Sequence, residues 1–566
     1  MGTYLNSAMA LQMYQNETKR PFFVDKTPLL AELFPFVEQG TSYICITRPR
    51  RFSKTVMANM ISAFFGAEWD SSSLFDGLRI AKEAGYRKNL NQYHVIHIDF
   101  SKMPKDCDSY GQYISRIERR LIRDIKKAYP DVSAGPDEAV WDVLDDVFVE
   151  YGSERFMFIL DEWDFIFHRD FVTGEDKKSF LSFLGNLLKD HAYVSLAYMT
   201  GILPIASHTA YGTLESCDSI VDASGESLQA VFPADASYSS GSELNMFAEY
   251  TMGTEEKFGE YFGFTETEVD ELHRRYLENT RNPVITREKL REWYDGYQTR
   301  RGERLYNPRS VVLSLTNNNL GNYWTSSGPY DEIFYYIERN VDDVRDDLAL
   351  MVAGEAVETK IQEYAATSLN LSTREEIFSA MVVYGFLSYA DGRVCIPNKE
   401  LMDKFSEMIR REASLGYVYR LARESDRMLA ATLAGDTDTM AAILEYAHNT
   451  ETPLFCYNKE TELSAIVNLV YLSARDRYRI EREDRAGIGY VDFIFYPEKK
   501  QEDCIILELK VDHTPEEAIR QIKEKQYALR FKGRLGESAG YSGRILAVGI
   551  SYFRGTKQHQ CRIEQL

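Results

Sequence analysis

Residues 41–65 read T-S-Y-I-C-I-T-R-P-R-R-F-S-K-T-V-M-A-N-M-I-S-A-F-F. The apolar run Tyr43 to Ile46 predicts a buried strand. A polar loop follows, Thr47 to Ser53, and then Val56, Met57, Met60, Ile61 and Phe64 recur on one side of a predicted helix. Strand, loop, Lys-Thr, helix is the context of a phosphate-binding loop. In such a loop backbone N–H groups and the helix N-terminus face the phosphates. Arg48, Pro49, Arg50, Arg51, Phe52 and Ser53 would form the cradle, and Lys54 would reach the β- and γ-phosphates of ATP. The Thr55 hydroxyl would sit on Mg²⁺. The general pattern G-x-x-x-x-G-K-[ST] has glycine where this chain has Arg48 and Ser53. Taken alone, the stretch also fits a basic turn at a helix start.

The chain downstream shifts that balance. Phe156 to Leu160 is a second apolar run and ends in Asp161-Glu162. Two carboxylates at the carboxyl end of a buried strand fit a Walker B site. There Asp161 would hold Mg²⁺ and Glu162 would orient the attacking water. Val194 to Met199 ends in Thr200-Gly201, as a polar sensor strand would. Tyr93 to Phe100 supplies a fourth run. Apolar strands alternating with helical stretches imply a mostly parallel sheet covered on both faces.

These residues carry a resemblance. F-F-V-D-K-T at 22–27, R-P-R-R-F-S-K-T at 48–55, I-L-D-E-W-D at 159–164 and A-Y-M-T-G-I-L-P-I at 197–205 resemble the bacterial AAA-ATPase-like family. So do L-N-M-F-A-E-Y at 244–250, E-Y-F-G-F-T at 260–265, W-Y-D-G-Y at 293–297 and Y-N-P-R-S-V at 306–311. The family reads R-P-R-R-F-G-K-T, so Ser53 stands where it has glycine. The resemblance implies ATP and Mg²⁺ as cofactors and a C-terminal domain of the PD-(D/E)XK nuclease superfamily.

A chain of 566 residues is too long for one core. We read a P-loop ATPase-like domain over 1–250, a helical lid and connector over 251–455, and a nuclease-like α/β domain over 456–566. At 44% hydrophobic and 27% charged the composition is that of a globular protein. No apolar run approaches the roughly 20 residues that span a bilayer. The N-terminus lacks a secretory leader's basic and apolar regions. Seven cysteines lie scattered, without a C-x-x-C pair, as in a reduced cytoplasmic protein. A net charge of −21 argues against broad nonspecific nucleic-acid binding. Arg116 to Lys127 and Arg520 to Arg534 are the basic stretches that could form a local groove, the first more plainly a solvated helix face.

A helix is expected to begin near Thr27 and to run through Leu29, Leu30, Leu33 and Phe34. Residues 206–243 are rich in Ser, Ala, Gly and Asp without a sustained period. They read as an inserted surface loop, mobile or partner-contacting. The aromatic turns at 294–297 and 306–308 read as packed corners. A strand pair is expected around Gly385 to Pro397, turning at Asp391-Gly392.

A second constellation lies near the C-terminus. The apolar segments Tyr490 to Phe495 and Cys504 to Val511 flank a polar turn. Alternate side chains of a strand share a face, so Glu508 and Lys510 point the same way. Asp492 in the neighbouring strand could converge with them. Two carboxylates at one end of a hairpin can bind Mg²⁺ or Mn²⁺ beside a scissile phosphate. Lys510 would orient water or stabilise developing charge. Burying Glu and Lys in an otherwise apolar strand costs free energy and needs a reason. By resemblance, Gln521 is carried near the site by the next helix, and Glu462 and Glu483 are further acidic positions, Glu462 a metal ligand. Ile488 replaces the lysine usual before the strand.

The readings that follow are an ATP-controlled, metal-dependent nuclease acting on DNA or RNA, and a nucleotide-dependent switch whose C-terminal domain binds nucleic acid or a protein without cutting. A protein-interaction module with both sites degenerate is the third. An oligomer is compatible with each.

Overall fold

The computed structural model describes residues 2–132, 135, 138–169, 171–205, 244–252, 257–324, 337–361, 373–449, 460–486, 489–531 and 541–566, without the side chains of 339, 447–449, 460–462, 482–486, 489–490 and 530. The stretch 206–243 and Ile488 lie outside the described residues. The chain forms two compact units, one built from 1–330, 360–371 and 375–392, the other from 331–359, 372–374 and 393–566.

The first unit is organised by five parallel strands, β1 (Ser42–Thr47), β2 (His94–Asp99), β3 (Phe156–Asp161), β4 (Val194–Gly201) and β5 (Ala248–Thr251). Their order is β2-β3-β4-β1-β5. β1 pairs with β4 on one side, Ile44 opposite Tyr198, and with β5 on the other, Ile44 opposite Ala248. Strand alternation divides the core in two. Ile44, Ile46, Ile159 and Tyr198 pack on one side with Met57, Ile61 and Phe64 of the helix Lys54–Phe65. Cys45, Phe158, Leu160 and Met199 pack on the other with Leu121, Leu144 and Leu184. Burial on both faces explains why β1, β3 and β4 read as unbroken apolar runs. The helix expected near Thr27 is Pro28–Glu38, with Thr27 as its N-cap and Pro28 in its first turn.

β5 is a strand that the sequence reading did not name. Its residues A-E-Y-T lie at the sheet edge and are half or fully exposed, so no apolar run announces it. The first unit also contains a small antiparallel sheet of Phe264–Thr265, Arg304–Tyr306 and Tyr297–Gln298. Around it Tyr276, Tyr294 and Tyr306 are buried with Val269, Leu290 and Val311. The aromatic turns are packed corners as expected. Asp391 and Gly392 are both left-handed, with φ of 50° and 78°, between the short strands Ser388–Ala390 and Arg393–Cys395.

In the second unit, helices including Val341–Val352, Lys399–Ile409, Ser425–Ala434 and Glu460–Val470 precede a five-stranded mixed sheet. Its strands in spatial and chain order are β6 (Tyr478–Ala486), β7 (Gly489–Pro497), β8 (Cys504–Val511), β9 (Ile545–Phe553) and β10 (Gln558–Gln565). Only the β8–β9 pair is parallel. The connection between them contains the helix Pro515–Glu524. The edge strands β6 and β10 are rich in charge, as exposed edges usually are. No described helix is long and apolar enough to cross a membrane.

Candidate functional site

In the first unit, the loop after β1 turns sharply before the helix Lys54–Phe65. Arg51 and Ser53 both adopt positive φ, 71° and 60°. With ψ of 17°, Ser53 lies in the left-handed region, which glycine occupies at least cost. Lys54 is buried, and its Nζ donates to the carbonyls of Arg48 at 3.0 Å and Pro49 at 3.2 Å. It also lies 3.9 Å from a Glu162 carboxylate oxygen.

A cavity of about 500 Å³ opens above this turn, lined by Arg51, Ser53, Lys54, Thr55, Glu162 and Arg309. Its apolar wall includes Tyr14, Phe23, Met57 and Phe264. This combination of apolar wall and few convergent polar groups is typical of a small-molecule pocket. Arg309 stands in the first turn of the helix Pro308–Asn317, whose N-cap Asn307 accepts from the Ser310 N–H. The sequence reading of that corner as packing did not bring Arg309 to the pocket. Only the tertiary fold joins a turn at 306–309 to a loop at 48–55.

Not every residue of the loop faces that cavity. The Arg48 guanidinium is buried over the Phe262 ring, 5.1 Å from its centroid, and donates to the Thr47 and Tyr250 carbonyls, each at 2.7 Å. Burial lowers its pKa to about 10. Arg48 and Pro49 line a separate, smaller cavity with Ile202 and Leu387. Phe52 is buried edge-on to Tyr297 at 5.0 Å. Arg51 donates to the Tyr323 carbonyl at 2.8 Å, with its guanidinium 5.7 Å from the Trp324 ring. Arg50 is near enough for its charge to act on Glu162.

Asp161 ends β3 fully buried. The Thr200 hydroxyl at the end of β4 donates to its Oδ1, and its Oδ2 makes no hydrogen bond. Burial pushes the Asp161 pKa up to about 6, with Thr200 opposing and Glu162 reinforcing the shift. A buried carboxylate oxygen without a donor fits a cation or its bound water. Glu162 is left-handed, φ 53°, and it lines the cavity. Burial raises its pKa, opposed by Lys54. Asp164 is buried and accepts from the Ile202 and Leu203 N–H groups at 2.9 and 2.8 Å. It fixes the chain just after β4.

The second unit carries the other constellation. Phe493 pairs with Leu507 across the antiparallel β7–β8 ladder, which sets Asp492 beside Glu508. An Asp492 carboxylate oxygen accepts the Leu509 N–H at 2.7 Å. Glu508 is 3% exposed. Its Oε1 accepts from Lys510 Nζ at 3.0 Å and from the Gln521 amide, and its Oε2 is buried without a hydrogen bond. Burial raises the Glu508 pKa to about 7, with Asp492 adding to the rise and Lys510 opposing it. Gly549 on β9 is paired with Glu508. A Cβ there would lie 2.4 Å from the Pro515 carbonyl and 3.0 Å from the Ala518 Cβ. Glycine thus lets the helix Pro515–Glu524 lie close enough to bring Gln521 onto Glu508. Tyr527, fully buried, hydrogen-bonds Gln521, and nothing in the sequence spacing marks it.

Asp492, Glu508, Lys510 and Gln521 are therefore gathered. Glu462 lies in the helix Glu460–Val470 and Glu483 in β6, but their side chains are outside the description. Among the described residues no three His, Cys, Asp or Glu side chains form a ready metal cage. The two carboxylates, one with a donor-free oxygen, are hard ligands suited to Mg²⁺ or Mn²⁺.

No curated protein matches the chain. Among solved structures, a Walker-type ATPase of Pyrococcus abyssi is similar at 11% identity and a TM-score of 0.36, over 67% of this chain and 94% of that one. A signal-transduction ATPase with numerous domains and a tetratricopeptide repeat sensor, from Pyrococcus horikoshii, is similar at 10% identity and a TM-score of 0.20, over 77% and 62%. Residues 11–210 match the family described as "Predicted AAA-ATPase", and residues 460–556 match the PD-(D/E)XK nuclease superfamily. The chain thus joins an N-terminal domain of the AAA-ATPase-like family to a C-terminal domain of the PD-(D/E)XK nuclease superfamily.

Proposed function

We propose that the protein is an ATP-binding ATPase whose nucleotide state governs a divalent-metal-dependent nuclease acting on DNA or RNA phosphodiesters in the cytoplasm. The observation that carries the reading is the grouping of Asp492, Glu508, Lys510 and Gln521 on one sheet face, with Glu508 Oε2 buried and without a donor.

In the first unit, Lys54 would leave the Arg48 and Pro49 carbonyls for the β- and γ-phosphates. Thr55 and Asp161 would hold Mg²⁺, which shields phosphate charge when bound. Glu162 faces the same cavity and would orient the attacking water. In the second unit, Asp492 and Glu508 would hold the divalent ion. Bound there, the ion supplies charge stabilisation and an acidified water. Gln521 donates to the Glu508 carboxylate and would hold it for the ion, and Lys510, which donates to the same carboxylate, would bring a cation to the phosphate.

The test is cleavage of single- and double-stranded DNA and RNA with Mg²⁺ or Mn²⁺, with and without ATP. Wild type should cut at least one substrate, Glu508→Ala none, and Lys510→Ala far more slowly. Glu162→Gln should bind ATP without hydrolysing it. The left-handed Ser53 favours a second reading, a weakly binding nucleotide switch without cleavage. Wild type that binds nucleic acid but cuts none of the panel decides for that reading.

A further inference from the structure

β9 carries a residue that the site description has not used. Ser551 pairs with Lys510 across the parallel β8–β9 ladder. Paired residues of a ladder face the same side of the sheet. Here that side is the one covered by the helix Pro515–Glu524, where Ile506 and Ala547 pack with Ile519 and Ile522 and where Gly549 meets Pro515. Ser551 is fully buried, and its Oγ has no hydrogen-bond partner. Neighbouring strands lie about 4.8 Å apart, well within the reach of a lysine side chain. A buried hydroxyl left unpaired beside a candidate site needs an explanation, and a group that reaches it in another state would supply one.

We propose that Ser551 is a positioning residue of this site: its hydroxyl receives the Lys510 ammonium when a divalent cation engages Glu508. The inference rests on the metal-dependent reading of the site given above. Without the ion, Lys510 Nζ shares Glu508 Oε1 with Gln521. An ion on that carboxylate repels the ammonium across a few ångströms in a poorly solvated setting, so the ammonium must leave. A hydroxyl can accept from it, because its own proton rotates away. A neutral acceptor also leaves the positive charge of Lys510 unspent, available to an anionic phosphate. A carboxylate at position 551 would neutralise it.

The experiment uses the full chain and Mn²⁺ alone as probe. Mn²⁺ affinity by calorimetry and thermal unfolding with and without the ion are measured for wild type, Ser551→Ala, Lys510→Met and the double variant. Without the ion, Ser551→Ala should melt no lower than wild type, since it removes an unpaired hydroxyl. With the ion, it should bind Mn²⁺ about three- to tenfold more weakly, the scale of one lost hydrogen bond. Lys510→Met should bind more tightly than wild type, having no ammonium to displace. In that background Ser551→Ala should change nothing, which is the coupling expected of a contacting pair. Wild type that takes up no Mn²⁺ overturns the metal-site reading and this inference with it. If wild type binds but Ser551→Ala binds equally well, or is weakened to the same extent in both backgrounds, the Ser551–Lys510 partnership alone is wrong.

Discussion

Ser53 holds φ at 60° and ψ at 17°, where a Cβ is crowded and glycine is not. Such strain costs on the order of 1–3 kcal/mol. Ser53→Gly should therefore raise the melting temperature, and by clearing the Cβ and hydroxyl from where the phosphate approaches it should tighten ATP about ten- to hundredfold, read by calorimetry with the native chain alongside. Equal affinities would mean that the loop carries no strain that binding must overcome. Glu508 yields a prediction in pH. Its pKa of about 7 lies above the ordinary glutamate range near 4.3. The folded protein therefore keeps a proton that the unfolded chain releases between those values. Without metal, stability should fall as pH rises from about 4 to 7 and level off above. Glu508→Gln should remove that fall, worth roughly 3–4 kcal/mol, and so unfold at higher temperature than wild type at pH 8 but not at pH 4. Mn²⁺ requires the ionised carboxylate, so wild-type uptake should tighten as pH rises through 7.

The elements show how much of this was legible in sequence. β1, β3 and β4 were readable because each is buried on both faces, so apolar residues run without interruption. β5, with A-E-Y-T at an edge, and the polar β6 and β10 gave no such run. The β7–β8 hairpin was readable because Glu508 and Lys510 break an apolar strand with two charges. Arg309, Tyr527, Gly549 and Ser551 were not, because their roles come from which elements meet in space. Gly549 makes the point testable. Gly549→Ala would push the helix Pro515–Glu524 off β9, since the Pro515 backbone cannot yield as a flexible side chain could. The cost should be about 1–3 kcal/mol of stability. Gln521 should lose its hold on Glu508, and Mn²⁺ affinity should fall as it does in Gln521→Ala. An alanine variant that binds Mn²⁺ like wild type would show that the helix has slack.

At the scale of the molecule, the two constellations sit in separate compact units of a chain with net charge −21. That charge repels a polyanion at long range, so the nucleic acid of the proposed function would have to be held by a few local cations. The logarithm of its affinity should then fall only shallowly with the logarithm of salt, with a slope set by those few contacts. Any control of the second site by the first must also be paid back. If ATP changes nucleic-acid affinity by some factor, nucleic acid must change ATP affinity by the same factor, because both routes close one thermodynamic cycle. The measurement needs no turnover. Glu162→Gln should retain bound ATP and Lys510→Ala should limit cutting, so the double variant can be titrated with ATP in the absence and presence of nucleic acid and in the reverse order. Two equal factors above about fivefold, or at least 1 kcal/mol of coupling, would establish that the units communicate. A factor of one in both directions would leave an ATPase and a nuclease joined by the chain alone. Loss of the coupling in Lys54→Ala, with nucleic-acid affinity kept at its ATP-free value, would trace the signal to the phosphate loop.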